Sequence, residues 1–298
     1  MLFKKQHINN FGIQILALFA SVRGYTLTTI IVAQYLSARY IFAPHSNWKE
    51  ILFDTKLLML VFATSFAIAG GYLINNFYDA EKDQINRPHK YLLEHRVSAS
   101  FQLFCYALLN TLALVLSMLV SWRTVPFFLA YIFGIWLYSH LLKKQFWTSN
   151  VFAVILAVIP FFAITLYFKN FSSLVFYHAS FLFLIVLIRD LIKDLENFKG
   201  DWVRDYKTIA VVFGERTTKM ILSFLVILTF IPIALLLAQK EVLQSMWYYF
   251  IFTIPFLFLI VLILWRSPDQ KTYLWLHNLL KALIVAGILS IVLVRFPL

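Results

Sequence analysis

Long apolar stretches separated by short polar loops run along the whole chain. Each stretch holds about 20 residues, enough to cross a hydrocarbon core of ~30 Å. The pattern predicts nine transmembrane helices, at residues 13–42, 57–79, 101–121, 124–142, 151–169, 173–193, 218–238, 246–265 and 274–295. No segment of domain size is left between them. We therefore expect one all-α transmembrane domain over residues 1–298, and the first apolar stretch to be an anchor rather than a removed signal peptide.

The composition agrees with a membrane protein. Hydrophobic residues make up 61% of the chain and charged residues 13%, whereas soluble domains have about 45–50% and about 25%. The net charge of +12 does not indicate a nucleic-acid partner, because the basic residues lie in short loops beside apolar segments. They are concentrated on one side, which predicts a cytoplasmic N-terminus in a bacterial or archaeal cell membrane. Membrane lipids are the expected surroundings.

Two acidic motifs follow the second and the sixth predicted helices. The first acidic motif is residues 75–83 of the stretch "NNFYDAEKDQINRPHK", where Asn75 or Asn76, Asp79 and Asp83 are spaced for one helical face. The second acidic motif is residues 190–201 of "RDLIKDLENFKGDWVRDYKT", with a matching stripe of Asp190, Asp194, Asn197 and Asp201. Four predicted crossings separate the two motifs, so both lie on one side of the membrane. The charge bias makes that side cytoplasmic, which predicts cytoplasmic loops that cap the bundle.

Acidic stripes close to the membrane need compensating positive charge, since a lone ionised acid costs roughly 2.5–3.5 kcal/mol at the centre of a membrane helix. One interpretation is a solvated loop in which local Lys and Arg pair with the acids. The other is a bound cation. Oxygen ligands without His or Cys favour Mg²⁺, which is commonly shared between carboxylates and substrate phosphates. The sequence thus predicts a Mg²⁺–diphosphate clamp, with phosphate contacts from neighbouring basic residues: Arg87, Lys193, Arg204 and Lys207.

The motifs resemble those of the UbiA superfamily of intramembrane prenyltransferases. "NNFYDAEKDQINRP" is similar to the first aspartate signature of that family, "KDLENFKGDWVRDYKTIAVVFGER" to the second, and "VRGYTL" to the start of its first helix. The resemblance implies Mg²⁺-dependent transfer of a prenyl group from a polyprenyl diphosphate. The implied acceptor is an aromatic quinone precursor or a prenylated glycerol phosphate, and the implied reaction releases diphosphate. The implied roles are catalysis by Asp79, Asp83, Asp190 and Asp194; diphosphate binding by Arg23, Asn75, Arg87, Lys193, Arg204 and Lys207; and metal binding by Asn75, Asn76, Asp79, Asp83, Asp190, Asp194 and Asp201.

Three positions depart from the family pattern. Asn76 and Asn197 replace acids, and Asp205 stands where glycine is common. The loss of the acid at position 76 keeps a non-catalytic prenyl-lipid-binding or regulatory relative in view. A transporter is a further alternative, although its charges would lie nearer the membrane midplane. In the last predicted helix, His277 and Lys281 either extend to the membrane surface or line the substrate pocket.

Overall fold

The computed structural model describes residues 17–86, 91–92, 97–146, 148–203, 206–239, 244–266 and 269–295, with the backbone alone for 81, 82, 85 and 86. Arg87, Arg204 and Asp205, which were singled out above, lie outside the described residues. Throughout the described part, regular structure is helical. The all-α prediction is therefore confirmed.

Ten α-helices are numbered here in chain order. They are α1 (Gly24–Ser37), α2 (Trp48–Leu52), α3 (Thr55–Asn86), α4 (Ala99–Val120), α5 (Thr124–His140), α6 (Thr148–Phe168), α7 (Ser173–Val203), α8 (Ile209–Leu237), α9 (Trp247–Arg266) and α10 (Gln270–Ser290). A π-helical turn at Ala38–Phe42 extends α1, and 3-10 turns lie at Leu142–Lys144, Gln244–Met246 and Ile291–Arg295.

Seven helices of the described chain are long and apolar enough to cross a membrane, and α5 is a shorter apolar helix. The protein is thus a multi-pass membrane protein. The two motif-bearing helices are longer than the predicted spans: α3 runs to Asn86 and α7 to Val203. Each acidic motif is therefore carried on the last turns of a membrane helix, as its spacing predicted.

The first predicted span is not one continuous helix in the described residues. Residues 17–21 are helical, the chain turns at Val22 and Arg23, and α1 begins at Gly24. Arg23 has a φ of 50° and lies in the left-handed region, which L-residues seldom adopt. The predicted span 13–42 contains Arg23, whose backbone forms the break in this helix.

Local sequence signals set several helix starts. Asn47 and Glu50 form a capping box at α2, and the side chains of Ser98 and Thr208 accept hydrogen bonds from backbone N–H groups in the first turns of α4 and α8. Gly214, with a φ of 79°, kinks α8 near its start, where a side chain would strain the backbone.

The apolar core has two main parts. One cluster packs residues of α1 to α6, and the other packs α7 to α10 together with the end of α1. At Gly71 of α3, an added Cβ would lie 2.9 Å from the side chain of Ile135, so this glycine permits close packing of α3 on α5. The helix α3 belongs to the first cluster and α7 to the second. The two acidic motifs are therefore held by opposite halves of the bundle.

Candidate functional site

The first acidic motif is anchored by a buried lysine. Lys143, 6% exposed, lies in the 3-10 turn between α5 and α6. Its Nζ is 2.7 Å from Oδ1 of Asp79 and donates a 3.2 Å hydrogen bond to Oδ1 of Asn75. A buried ammonium is strongly destabilising unless paired, so this contact fixes both motif side chains on one face of α3.

A tyrosine from the loop after the second acidic motif reaches the first one. The hydroxyl of Tyr206, which is 5% exposed, donates a 3.0 Å hydrogen bond to Oδ1 of Asp79. Burial and the Asp79 carboxylate raise the pKa of Tyr206, so the phenol keeps its proton and remains a donor. Asp83 and Asp201 also lie within electrostatic range of this hydroxyl. The loop is thereby connected to α3.

The acids of the second acidic motif are joined by an asparagine of α6. Nδ2 of Asn150 donates to Oδ2 of Asp194 at 2.7 Å and to Oδ2 of Asp190 at 3.2 Å. Asn150 is 3% exposed and Asp194 8% exposed. Lys193 lies 3.8 Å from Oδ1 of Asp190, a loose pairing on the helix surface. Two carboxylates facing one amide repel each other, which favours a cation at this place.

Acids of both motifs also lie near a second tyrosine, on α5. Asp79, Asp190 and Asp194 all lie within electrostatic range of the Tyr138 hydroxyl. Tyr138 and Tyr206 are therefore each near acids of both α3 and α7. The convergence of the two acidic stripes stays a prediction, which this proximity supports.

Asn76 has a structural role that an aspartate could not fill. It is 2% exposed, and its Nδ2 donates a 3.0 Å hydrogen bond to the carbonyl of Ser21, at the break before α1. Its Oδ1 is buried without a hydrogen-bond partner among the described residues. The amide that departs from the family signature therefore stabilises the interrupted first helix. Ligation of a metal through Oδ1 stays a prediction.

The remaining predicted residues lie around this core. Asp201 is buried in the last turn of α7, Asp83 is partly exposed near the end of α3, and Lys207 is exposed in the α7–α8 loop. The guanidinium of Arg23 lies over the ring of Tyr72, 4.8 Å from its centroid. Asn197 donates to the carbonyl of Lys193 within its own helix. For these residues the functional assignments remain predictions.

The oxygen-rich chemistry of the site fits Mg²⁺. Within the described residues, no three His, Cys, Asp or Glu side chains lie close enough together to hold a metal ion by themselves. The available donors are carboxylate and amide oxygens, and Oδ1 of Asn150 is buried with no hydrogen-bond partner in the described chain. Mg²⁺ retains waters and shares its coordination with substrate phosphates, so it does not require a complete protein cage.

Sequence reasoning missed three residues of this site: Lys143, Asn150 and Tyr206. Each belongs to a loop or helix end on the side of the bundle that carries the motifs, but none forms a periodic pattern with them. A lysine pair at the end of an apolar segment usually indicates an exposed cytoplasmic loop, so nothing in the sequence indicated that Lys143 is buried.

This fold and site define a class of intramembrane enzyme. The UbiA prenyltransferase family matches residues 25–289. The chain belongs to that family, which confirms the resemblance and the enzyme class of prenyltransferase.

Relatives and solved structures agree with the family. A digeranylgeranylglyceryl phosphate synthase of Thermococcus gammatolerans is 28% identical over 248 residues, covering 80% of this chain and 85% of that protein. The synthase of Sulfurisphaera tokodaii is 29% identical over 201 residues, covering 63% and 69% respectively. A solved structure of a digeranylgeranylglyceryl phosphate synthase superposes with a TM-score of 0.73 at 20% identity, covering 93% of this chain and 97% of that one. An Archaeoglobus fulgidus UbiA homologue bound to DMAPP and Mg²⁺ has a TM-score of 0.67 at 14% identity, with 91% and 98% covered.

Proposed function

We propose that this protein transfers a prenyl group from a polyprenyl diphosphate to a prenylated glycerol phosphate, in a Mg²⁺-dependent reaction that releases diphosphate. The observation that carries the proposal is the hydrogen bond from Tyr206 to Asp79, which joins the loop of the second acidic motif to the first. A diphosphate with its metal ions needs oxygen ligands from both sides, and the two motifs approach each other from opposite halves of the bundle.

The motif acids hold the metal and leave the diphosphate accessible to basic residues. Bound Mg²⁺ supplies positive charge that stabilises the departing diphosphate as the allylic C–O bond breaks. Asn150 orients Asp190 and Asp194, and Lys143 orients Asp79. The assigned metal ligands are Asn75, Asn76, Asp79, Asp83, Asp190, Asp194 and Asp201, and the assigned diphosphate contacts are Arg23, Asn75, Arg87, Lys193, Arg204 and Lys207.

The proposed topology places this site on the cytoplasmic side of a single nine-helix domain. Short loops rich in Lys and Arg on that side support the orientation. With the site at the membrane surface, the charged diphosphate stays near water while the isoprenoid chain lies among apolar helices. The predicted cytoplasmic cap, formed by the loops that follow α3 and α7, is part of this proposal.

The nature of the acceptor is supported by the relatives. The two relatives described above are named for digeranylgeranylglyceryl phosphate, a glycerol phosphate lipid with two geranylgeranyl chains. An aromatic quinone precursor is the competing acceptor. It is distinguished by direct comparison of the two substrates.

Radiolabelled geranylgeranyl diphosphate tests the proposal with purified protein in liposomes. Geranylgeranylglyceryl phosphate and 4-hydroxybenzoate are offered separately, with Mg²⁺ or with EDTA. We expect Mg²⁺-dependent product with the glycerol phosphate lipid, abolished by Asp194→Asn and unchanged by Asp269→Asn, which alters an exposed acid at the start of α10.

Three results would redirect the proposal. Product formed only with 4-hydroxybenzoate would show that the acceptor is an aromatic quinone precursor. Retention of the donor without turnover would favour a binding or regulatory protein, and movement of the intact donor between leaflets would favour a transporter.

A further inference from the structure

The helix α7 carries a second polar face besides its acidic stripe. With about 100° of rotation per residue, Arg189 and Glu196 lie on one face of the helix about two turns apart, and both are roughly 100° or more around the helix from Asp190 and Asp194. The acids face Asn150 of α6, as described above. Arg189 and Glu196 face α10 instead, because both contact a histidine of that helix.

A buried histidine forms hydrogen bonds to both residues, and the donor and acceptor of each bond can be assigned. Nη2 of Arg189 is 2.9 Å from Nε2 of His277, and Nδ1 of the same ring is 2.9 Å from Oε2 of Glu196. A guanidinium only donates, so Nε2 accepts and the ring proton is on Nδ1, where it donates to Glu196. His277 is therefore neutral and holds Arg189 in place. The negative charge of Glu196 is kept one imidazole away from the guanidinium.

Arg189 retains an unused donor inside the protein. Its Nε is buried and has no hydrogen-bond partner among the described residues. A buried donor without a partner lowers stability, and more so when it belongs to a charged group. Such a group in a native fold requires an explanation, and an anionic ligand is one.

Two further cations lie near Arg189, one at the break before α1 and one on α10. Lys281 follows His277 by one helical turn, so both side chains share a face of α10. Arg23, Arg189 and Lys281 all lie within electrostatic range of the Tyr25 phenol. Like charges near one another repel, and an anion bound by Arg189 and Lys281 would relieve part of this repulsion.

We propose that Arg189 and Lys281 bind the phosphate monoester of the acceptor lipid, at a site separate from the metal–diphosphate clamp, and that His277 and Glu196 position Arg189. This inference rests on the proposed function. A phosphate monoester carries a charge of about −1.5 to −2 and three acceptor oxygens, which suits several cations better than a singly charged carboxylate does. Arg23 keeps its predicted role toward the diphosphate.

Binding measurements test the site independently of turnover. Geranylgeranylglyceryl phosphate and geranylgeranylglycerol, which lacks the phosphate, are titrated into protein reconstituted in nanodiscs without donor. We expect the phosphate to improve affinity at least tenfold in the wild type, and Lys281→Met to remove most of that gain. Lys271→Met, which alters an exposed lysine at the start of the same helix, keeps the gain.

Kinetics then separate this site from the clamp. Lys281→Met and Arg189→Lys are expected to raise KM for the acceptor at least tenfold and to leave KM for geranylgeranyl diphosphate within twofold. His277→Ala should raise the acceptor KM with little change in kcat, and His277→Gln, which retains a hydrogen-bond acceptor for Arg189, should restore part of it.

The outcomes distinguish the two proposals. Equal affinity of the wild type for both lipids would overturn the site, as would a rise confined to the donor KM. A phosphate preference lost in Lys281→Met, without transfer in any assay, would retain the site and reject the proposed function.

Discussion

Replacement of Lys143 by Met tests whether this lysine compensates the charge of the first acidic motif when no metal is bound. The Lys143 side chain is 5% exposed and that of Asp79 15% exposed, at an N–O distance of 2.7 Å. Removal of one partner of such a pair leaves an uncompensated buried charge, which costs about 3–5 kcal/mol. We expect Lys143→Met to lower the free energy of unfolding by that amount in EDTA.

Metal should restore much of this loss if Asp79 is a ligand. Mg²⁺ with inorganic diphosphate at 100 times Kd stabilises a folded protein by about 2.7 kcal/mol. The double variant Lys143→Met, Asp79→Asn lacks both charges, so it should be more stable than the single variant in EDTA and gain less from Mg²⁺.

Unfolding by dodecyl sulfate in mixed micelles, followed by circular dichroism, measures these differences. Lys144→Met is the matched control, because Lys144 is the exposed neighbour of Lys143 in the same 3-10 turn. If Lys143→Met unfolded like this control in EDTA, or if Mg²⁺ stabilised the single and double variants equally, the reasoning would be refuted.

Three further substitutions probe the surroundings of the clamp. Asn76→Asp recreates the family signature but loses the hydrogen-bond donor to the Ser21 carbonyl. We expect the free energy of unfolding to fall by about 1–3 kcal/mol with no gain in kcat. Higher activity at unchanged stability would contradict this. Asn150→Ala removes the hydrogen bond that orients the Asp194 carboxylate, and we expect at least tenfold weaker apparent Mg²⁺ affinity in the transfer assay. An unchanged Mg²⁺ titration would show that Asn150 does not orient a metal ligand. Tyr206→Phe removes the hydroxyl that joins the motifs. It should raise donor KM several-fold, and unaltered kinetics would show that the loop is held by other contacts.

The periodicity of the chain predicted the membrane helices and the faces of the acidic motifs because both depend on local spacing. The break at Arg23 was not predictable in this way, since an interrupted helix keeps an apolar composition. Its stabilisation by Asn76 joins residues 55 positions apart. The partners of Asp79 and Asp194 were missed for the same physical reason. Lys143, Asn150 and Tyr206 reach the acids only after helices distant in the chain have packed together.

The two acidic motifs are proposed to bind one metal–diphosphate complex together. The most direct measurement is Mn²⁺ binding, followed by electron paramagnetic resonance, in the presence of unreactive geranylgeranyl thiodiphosphate. Asp79→Asn alters α3 alone and Asp194→Asn alters α7 alone. The account predicts that each single variant weakens Mn²⁺ binding at least tenfold. Binding equal to that of the wild type in either variant would show that one motif holds the metal without the other, and would contradict the account.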